Sequence, residues 1–160
     1  LTSLTLSLLS HSRMESTFLP TPNGCVHTYR FGTGPELLIA LHGFSDRARM
    51  FTVLEPGLAA KYTVVAIDLP FHGQTEWKKN TFSKEDLLGI IRQILELEGK
   101  TRFSLMAFSF GARLAQAMLP ELAPHLDKLY LLSPDGVKTK GMSMAVHTPM
   151  WVRHAGLPRC

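Results

Sequence analysis

The chain has 160 residues, 45% of them hydrophobic and 19% charged, with a formal net charge of +4. That length suits one domain burying roughly 70% of the surface its unfolded chain exposes, and no apolar run reaches the ~18 residues of a membrane-spanning helix. The basic residues are scattered, without the clustered footprint of a nucleic-acid binder, and the two cysteines, Cys25 and Cys160, make neither a disulfide framework nor metal-ligand spacing.

A cytoplasmic protein is therefore expected, with neither nucleic acid nor membrane as a partner and with an oligomeric state that the sequence leaves open. Residues 1–13 (LTSLTLSLLSHSR) carry no initiator Met, and their apolar stretch is short and interrupted by Ser and Thr. A secretory signal calls for a basic start and a cleaner apolar run. Met14 is read as the natural start and residues 1–13 as an extension outside the domain, a truncated signal or lipid-facing segment being the other reading.

From Thr17 the pattern is strand-like. Asn23-Gly24 is a hairpin turn signal, and the alternation of Cys25, His27, Tyr29 and Phe31 follows it until Gly32-Thr33-Gly34-Pro35 ends the run. Four short, continuous apolar runs then mark strands buried on both faces: 37–41, 62–67, 103–108 and 128–132. Helical patterns separate them. The first covers Arg47 to Lys61 and is shortened or kinked at Pro56-Gly57. The second is capped by Ser83, carries Glu85 and Asp86 in its first turn and presents Leu87, Ile90, Ile91, Ile94 and Leu97 as an apolar stripe before Gly99. The third runs from about Phe110 to Leu119 and ends near Pro120. Strands alternating with helices in this way imply an α/β fold, with a mostly parallel sheet and helices on both faces. Residues 14–136 form this core, and residues 137–160 read as the start of a lid.

Ser109 stands at the junction of the third buried run and its helix, in Ala107-Phe108-Ser109-Phe110-Gly111. Small neighbours two residues to either side permit a tight strand-to-helix turn that lifts the hydroxyl above the sheet, as in G-x-S-x-G, with Ala107 in place of the first glycine. A plain helix N-cap is the competing reading of that serine. Leu41-His42-Gly43-Phe44 closes the first buried run. An oxyanion developing at Ser109 needs two fixed N–H donors: Phe110, at the helix N-terminus, supplies one, and Phe44 the other. His42, with Gly43, supports that loop by bonding nearby backbone. Asp68, opening Asp68-Leu69-Pro70-Phe71-His72-Gly73-Gln74-Thr75, is expected to tie up backbone N–H groups rather than do chemistry.

The trio L-H-G-F, D-L-P-F-H-G-Q-T and A-F-S-F-G resembles the α/β-hydrolase superfamily over about residues 17–136, in the branch with an H-G oxyanion loop and a lid after the sixth strand. The resemblance implies an eight-stranded, mostly parallel sheet, a nucleophile at Ser109, oxyanion donors at Phe44 and Phe110, and no metal or organic cofactor. It implies hydrolysis of a small acyl ester or thioester through an acyl-enzyme. The alternatives are a C–C bond hydrolase or lyase on the same scaffold and a non-catalytic binding protein. Relatives acting on haloalkanes or epoxides generally carry Asp at the nucleophile position, so Ser109 argues against those reactions.

By the same pattern, residues 17–31 supply strands one and two and the four buried runs supply strands three to six. Strands seven and eight, with the acid and histidine that follow them, are expected beyond Cys160, and the 160-residue chain alone is expected to be inactive or nearly so and prone to associate along its open edge. Asp135 with His147 or His154 keeps the Ser–acid–His order, but neither histidine follows a strand. Met142, Met144, Met150 and Trp151 suggest an apolar acyl or aromatic group, and core packing explains them equally well.

Overall fold

A computed structural model describes residues 14–133. The expectations placed on residues 1–13, on Asp135, His147, His154 and Cys160, and on the lid segment lie outside the described residues. The strands are β1 (Glu15–Thr21), β2 (Gly24–Phe31), β3 (Glu36–Leu41), β4 (Tyr62–Ile67), β5 (Glu76–Trp77), β6 (Phe103–Phe108) and β7 (Leu126–Leu132). They form one sheet in the order β1-β2-β4-β3-β6-β7, with β5 beside β2. β3 pairs in parallel with β4 and β6, and β6 with β7, while β1, β2 and β5 make the antiparallel part.

The continuous apolar runs lie where both faces are covered. All six residues of β4 are buried, as are five of six in each of β3 and β6. One face carries α2 (Lys84–Leu97) and α3 (Phe110–Leu122), whose Leu87, Ile90, Ile91, Ile94, Ala115 and Met118 meet Leu37, Ile39, Leu41, Val65 and Leu105. The opposite face carries a 3₁₀ segment (Ala48–Leu54) and the one-turn helix α1 (Glu55–Leu58), with Ala48 and Phe51 on Leu38, Ala40, Val64 and Ala66. β7, terminal in the sheet among the described residues, is buried only in part.

Four local expectations are corrected, and one short strand, β5, was not expected. The helix read over Arg47–Lys61 is a 3₁₀ segment followed by a single α-turn, because Pro56 fits only the first turn of a helix and so starts a new one. The hairpin turns at Pro22-Asn23, with Gly24 already pairing with Thr21 in β2. In α2 the apolar stripe is completed by Leu88 and Leu95, while Leu97, the last helical residue, is 65% exposed. The third helix passes Pro120 to Leu122: only a partial turn lies beyond the proline, the Ala123 N–H bonds the Leu119 carbonyl, and Leu122 is buried. β5 is two residues long, too short to show a strand period, and enters the sheet through Gly24 and Cys25.

The ends of α2 are specified by local chemistry. Ser83 Oγ accepts the Asp86 N–H at 3.1 Å while Asp86 Oδ2 accepts the Ser83 N–H at 2.9 Å, a reciprocal capping box. These bonds hold the Asp86 carboxyl below its ordinary pKa. At the other end the Gly99 and Lys100 N–H groups close onto Glu96 and Leu95 carbonyls, the paired bonds of a Schellman stop.

One core position runs against the pattern. Ser104, in β6, is 1% exposed, and its Oγ has no hydrogen-bond partner among the described residues. A buried hydroxyl without a partner costs about 1–3 kcal/mol. Ser104→Ala is therefore expected to raise stability by about 1 kcal/mol, read as a higher urea midpoint at unchanged slope. A lower midpoint would show that the hydroxyl has a partner.

Candidate active site

The site begins with how β6 hands over to α3. A capping serine has extended backbone angles and accepts an N–H from the first helical turn. Ser109 does neither: its φ is 49° and its ψ −111°, and its side chain makes no capping bond. Its backbone is committed instead, the N–H to the Leu132 carbonyl at 3.0 Å and the carbonyl to the Ala112 N–H at 2.9 Å. A non-glycine residue held at positive φ costs about 1–3 kcal/mol, so the surrounding sheet and helix impose this turn. The hydroxyl is left half-exposed at the N-terminal end of a 13-residue helix, where helical geometry provides N–H groups without intrahelical acceptors.

Gly111 makes the turn possible. A Cβ at that position would stand 2.5 Å from the Leu41 carbonyl oxygen and 2.7 Å from that of His42. Helix α3 thus rides directly on the end of β3, which brings Ser109 beside the His42-Gly43-Phe44 loop. Gly43 is equally confined, with a Cβ there falling 2.9 Å from the Phe108 ring. The Phe44 and Phe110 rings meet edge to face with centroids 6.3 Å apart, so the two segments read as oxyanion donors are neighbours.

His42 is fully buried and its ring bonds at both nitrogens: Nδ1–H donates to the Gly43 carbonyl at 2.7 Å, and Nε2 accepts the Leu69 N–H at 3.0 Å. Only the neutral ring can do both. Burial pushes its pKa below the ordinary 6.5, against a smaller upward pull from the Gly43 bond. A lowered histidine pKa means that the unfolded chain takes up the proton first. The stability His42 contributes is therefore complete above about pH 6.5 and lost as pH falls through its folded-state value. Urea midpoints are expected to be level above neutrality and to decline from about pH 6.5 downward, with the His42 ring titrating below the ordinary 6.5 by NMR; a His42 that titrates above 6.5 would contradict this.

The loop after β4 lies against the same site. Asp68 is 1% exposed, and its carboxylate accepts the Ala48 N–H at 2.6 Å, the Gln74 N–H at 2.9 Å and the His27 ring at 2.8 Å. It organises backbone from two loops. His72 went unassigned in the sequence, although it stands inside the D-L-P-F-H-G-Q-T string. Its Nδ1–H donates to the Pro70 carbonyl at 2.9 Å, and its ring stacks edge-on against His42 at 5.1 Å and Phe44 at 5.8 Å. Nε2 is left as the acceptor of that tautomer, beside the His42-Gly43-Phe44 loop.

Backbone strain marks the same edge. Among the described residues, the non-glycine residues at positive φ are Ser45, Phe71, Ser109 and Ser133, one after the carboxyl end of each parallel strand β3, β4, β6 and β7. Ligands of open α/β sheets bind at that edge, and strain of this kind gathers at functional sites. Among the described residues no group of three or more His, Cys, Asp or Glu side chains is placed to hold a metal, and no helix is long and apolar enough to cross a membrane.

Comparison with known proteins bears on the fold. A serine hydrolase-like protein of Dictyostelium discoideum is 31% identical over 123 residues, covering 71% of this chain and 34% of its own length. A probable serine hydrolase of Drosophila melanogaster is 28% identical over 140 residues, covering 85% of this chain and 42% of its own. The chain thus spans less than half the length of either relative. Among solved structures, a putative alpha/beta hydrolase from Nostoc superposes with a TM-score of 0.66 at 25% identity, covering 74% of this chain and 42% of that one. The sequence profile of the alpha/beta hydrolase fold matches residues 36–156, and the chain belongs to the α/β-hydrolase family.

Proposed function

We propose that the full-length protein is a serine hydrolase that cleaves a small acyl ester or thioester through an acyl-enzyme on Ser109. The observation that carries this reading is the backbone of Ser109: φ 49°, ψ −111° and a hydroxyl unused in capping. A residue kept in that conformation, at a strand end where a helix N-terminus and a second N–H-bearing loop meet, suits attack on a carbonyl carbon.

Ser109 Oγ adds to the carbonyl as a histidine from outside the described residues takes its proton. The tetrahedral oxyanion forms against the N–H groups of Phe44 and Phe110, each such donor contributing about 3 kcal/mol. Neutral His42, fixed by its two bonds, holds the Phe44 loop open to receive it. Collapse expels the alcohol or thiol, and water then releases the acid. The half-exposed Phe44 and Phe110 rings, which meet edge to face beside Ser109, favour an apolar acyl group.

The test is steady hydrolysis of a panel of p-nitrophenyl esters and acyl thioesters by the full-length protein and by Ser109→Ala. Turnover that disappears in the variant supports the reading. Turnover of a diketone with none of any ester would instead assign a C–C bond hydrolase, and no turnover of either class a binding protein.

A further inference from the structure

The β1–β2 hairpin holds a second constellation, of which only Asp68 also braces the loops of the Ser109 site. Ser16 Oγ lies 2.7 Å from His27 Nε2, and His27 Nδ1 lies 2.8 Å from Asp68 Oδ2. His27 is 0% and Asp68 1% exposed, whereas Ser16, on the outer strand β1, is open to solvent. Sheet order separates β1 from β6 by four strand spacings, roughly 19 Å, so Ser16 and Ser109 belong to different places on the molecule.

The atoms match the roles of a nucleophile, a base and an orienting acid. Donation of Nδ1–H to the carboxylate fixes the tautomer, and the neutral imidazole then presents Nε2 as acceptor for the Ser16 O–H. The carboxylate is itself immobilised by the Ala48 and Gln74 N–H groups. The imidazole is held between the Phe18 ring at 4.9 Å and the edge-on Tyr29 ring at 4.7 Å. Two strands, β1 and β2, and the loop after β4 converge on these three side chains, so each member is pre-organised before any electrophile arrives.

We propose that Ser16 is a second nucleophilic serine, acylated in a single turnover by activated esters such as aryl acetates. Ser16 Oγ attacks the carbonyl carbon while His27 Nε2 accepts the hydroxyl proton. The resulting imidazolium is stabilised by Asp68, the C–O bond to the aryl oxide breaks, and His27 returns the proton to the departing phenol. Ser16 is left as its acetyl ester and His27 neutral.

The experiment uses the full-length protein carrying Ser109→Ala, so that the two serines are read separately. It is incubated with p-nitrophenyl acetate and followed by p-nitrophenolate release and peptide mass mapping. One equivalent of p-nitrophenolate is expected, with the acetyl group on Ser16 and a rate on the order of 10²-fold above that of Ser83, an exposed serine outside this chain of bonds. Adding Ser16→Ala, a change at an exposed position, is expected to abolish the stoichiometric release, and His27→Gln to slow it to the Ser83 rate. Acetylation of Ser16 no faster than Ser83, or a release that persists in Ser16→Ala with the acetyl group on Cys25 or on lysines, would overturn the proposal.

Discussion

Ser109→Ala in the full-length protein is expected to lower ester turnover by about 10⁶-fold, the scale seen when a triad nucleophile is removed. The fold is expected to survive, because the backbone bonds of Ser109 to Leu132 and Ala112 use main-chain atoms and its side chain caps nothing. Ala inherits the positive φ and therefore the strain. Ser109→Gly removes both hydroxyl and strain, and is expected to be equally inactive yet about 1 kcal/mol more stable, since glycine populates positive φ without penalty. Turnover at saturating ester and urea midpoints, measured on the two variants together, separate chemistry from folding. An active Ser109→Ala protein would remove Ser109 from the mechanism.

Gly111→Ala carries the second large effect, and here two terms compete. Alanine in a helix gains about 1 kcal/mol over glycine from propensity. Against this, the new methyl carbon meets the carbonyl oxygens of Leu41 and His42 at 2.5 and 2.7 Å, and both are backbone atoms of β3 and the loop after it. They cannot swing aside as a side-chain tip does, so overpacking at the upper end of its usual range, about 3 kcal/mol, is expected to win. A net loss of about 2 kcal/mol follows in urea unfolding. The helix must also lift from β3, moving Phe110 away from the Phe44 loop, and a displacement on the 1 Å scale costs about 10²-fold in rate. A stabilised, fully active Gly111→Ala protein would show that α3 does not ride on β3 in this way.

Much of this arrangement was legible in the sequence because it rests on short-range rules. The apolar runs at 37–41, 62–67 and 103–108 have no alternation and are the strands buried on both faces. Ser83 with Asp86 announces the start of α2, and Gly99 its end. The spacing of Ala107, Ser109 and Gly111 requires a tight turn, and the structure adds the angles that separate this serine from an ordinary cap. Asp68 reads in the sequence as a backbone organiser, and its bonds to Ala48 and Gln74 are of that kind.

What escaped the sequence depends on contacts between distant segments. His27 looked like one more member of an alternating strand, and its pairing with Asp68, 41 residues away, exists only because β2 lies beside β4. His72 acquires its place from the stacking of two loops, those after β3 and β4, on one sheet edge. β5 has no sequence period to detect, and Pro120 signals a helix end that burial of Leu122 overrides. In each case tertiary packing outweighs a local preference.

Whether Ser109 is the nucleophile is tested most directly by covalent labelling of the full-length protein with a fluorophosphonate, mapped by peptide mass. A phosphonyl group is expected on the Phe103–Arg113 segment at Ser109, acquired in parallel with loss of ester hydrolysis and absent in Ser109→Ala. Hydrolysis that is lost to the reagent while Ser109 stays unlabelled would contradict it.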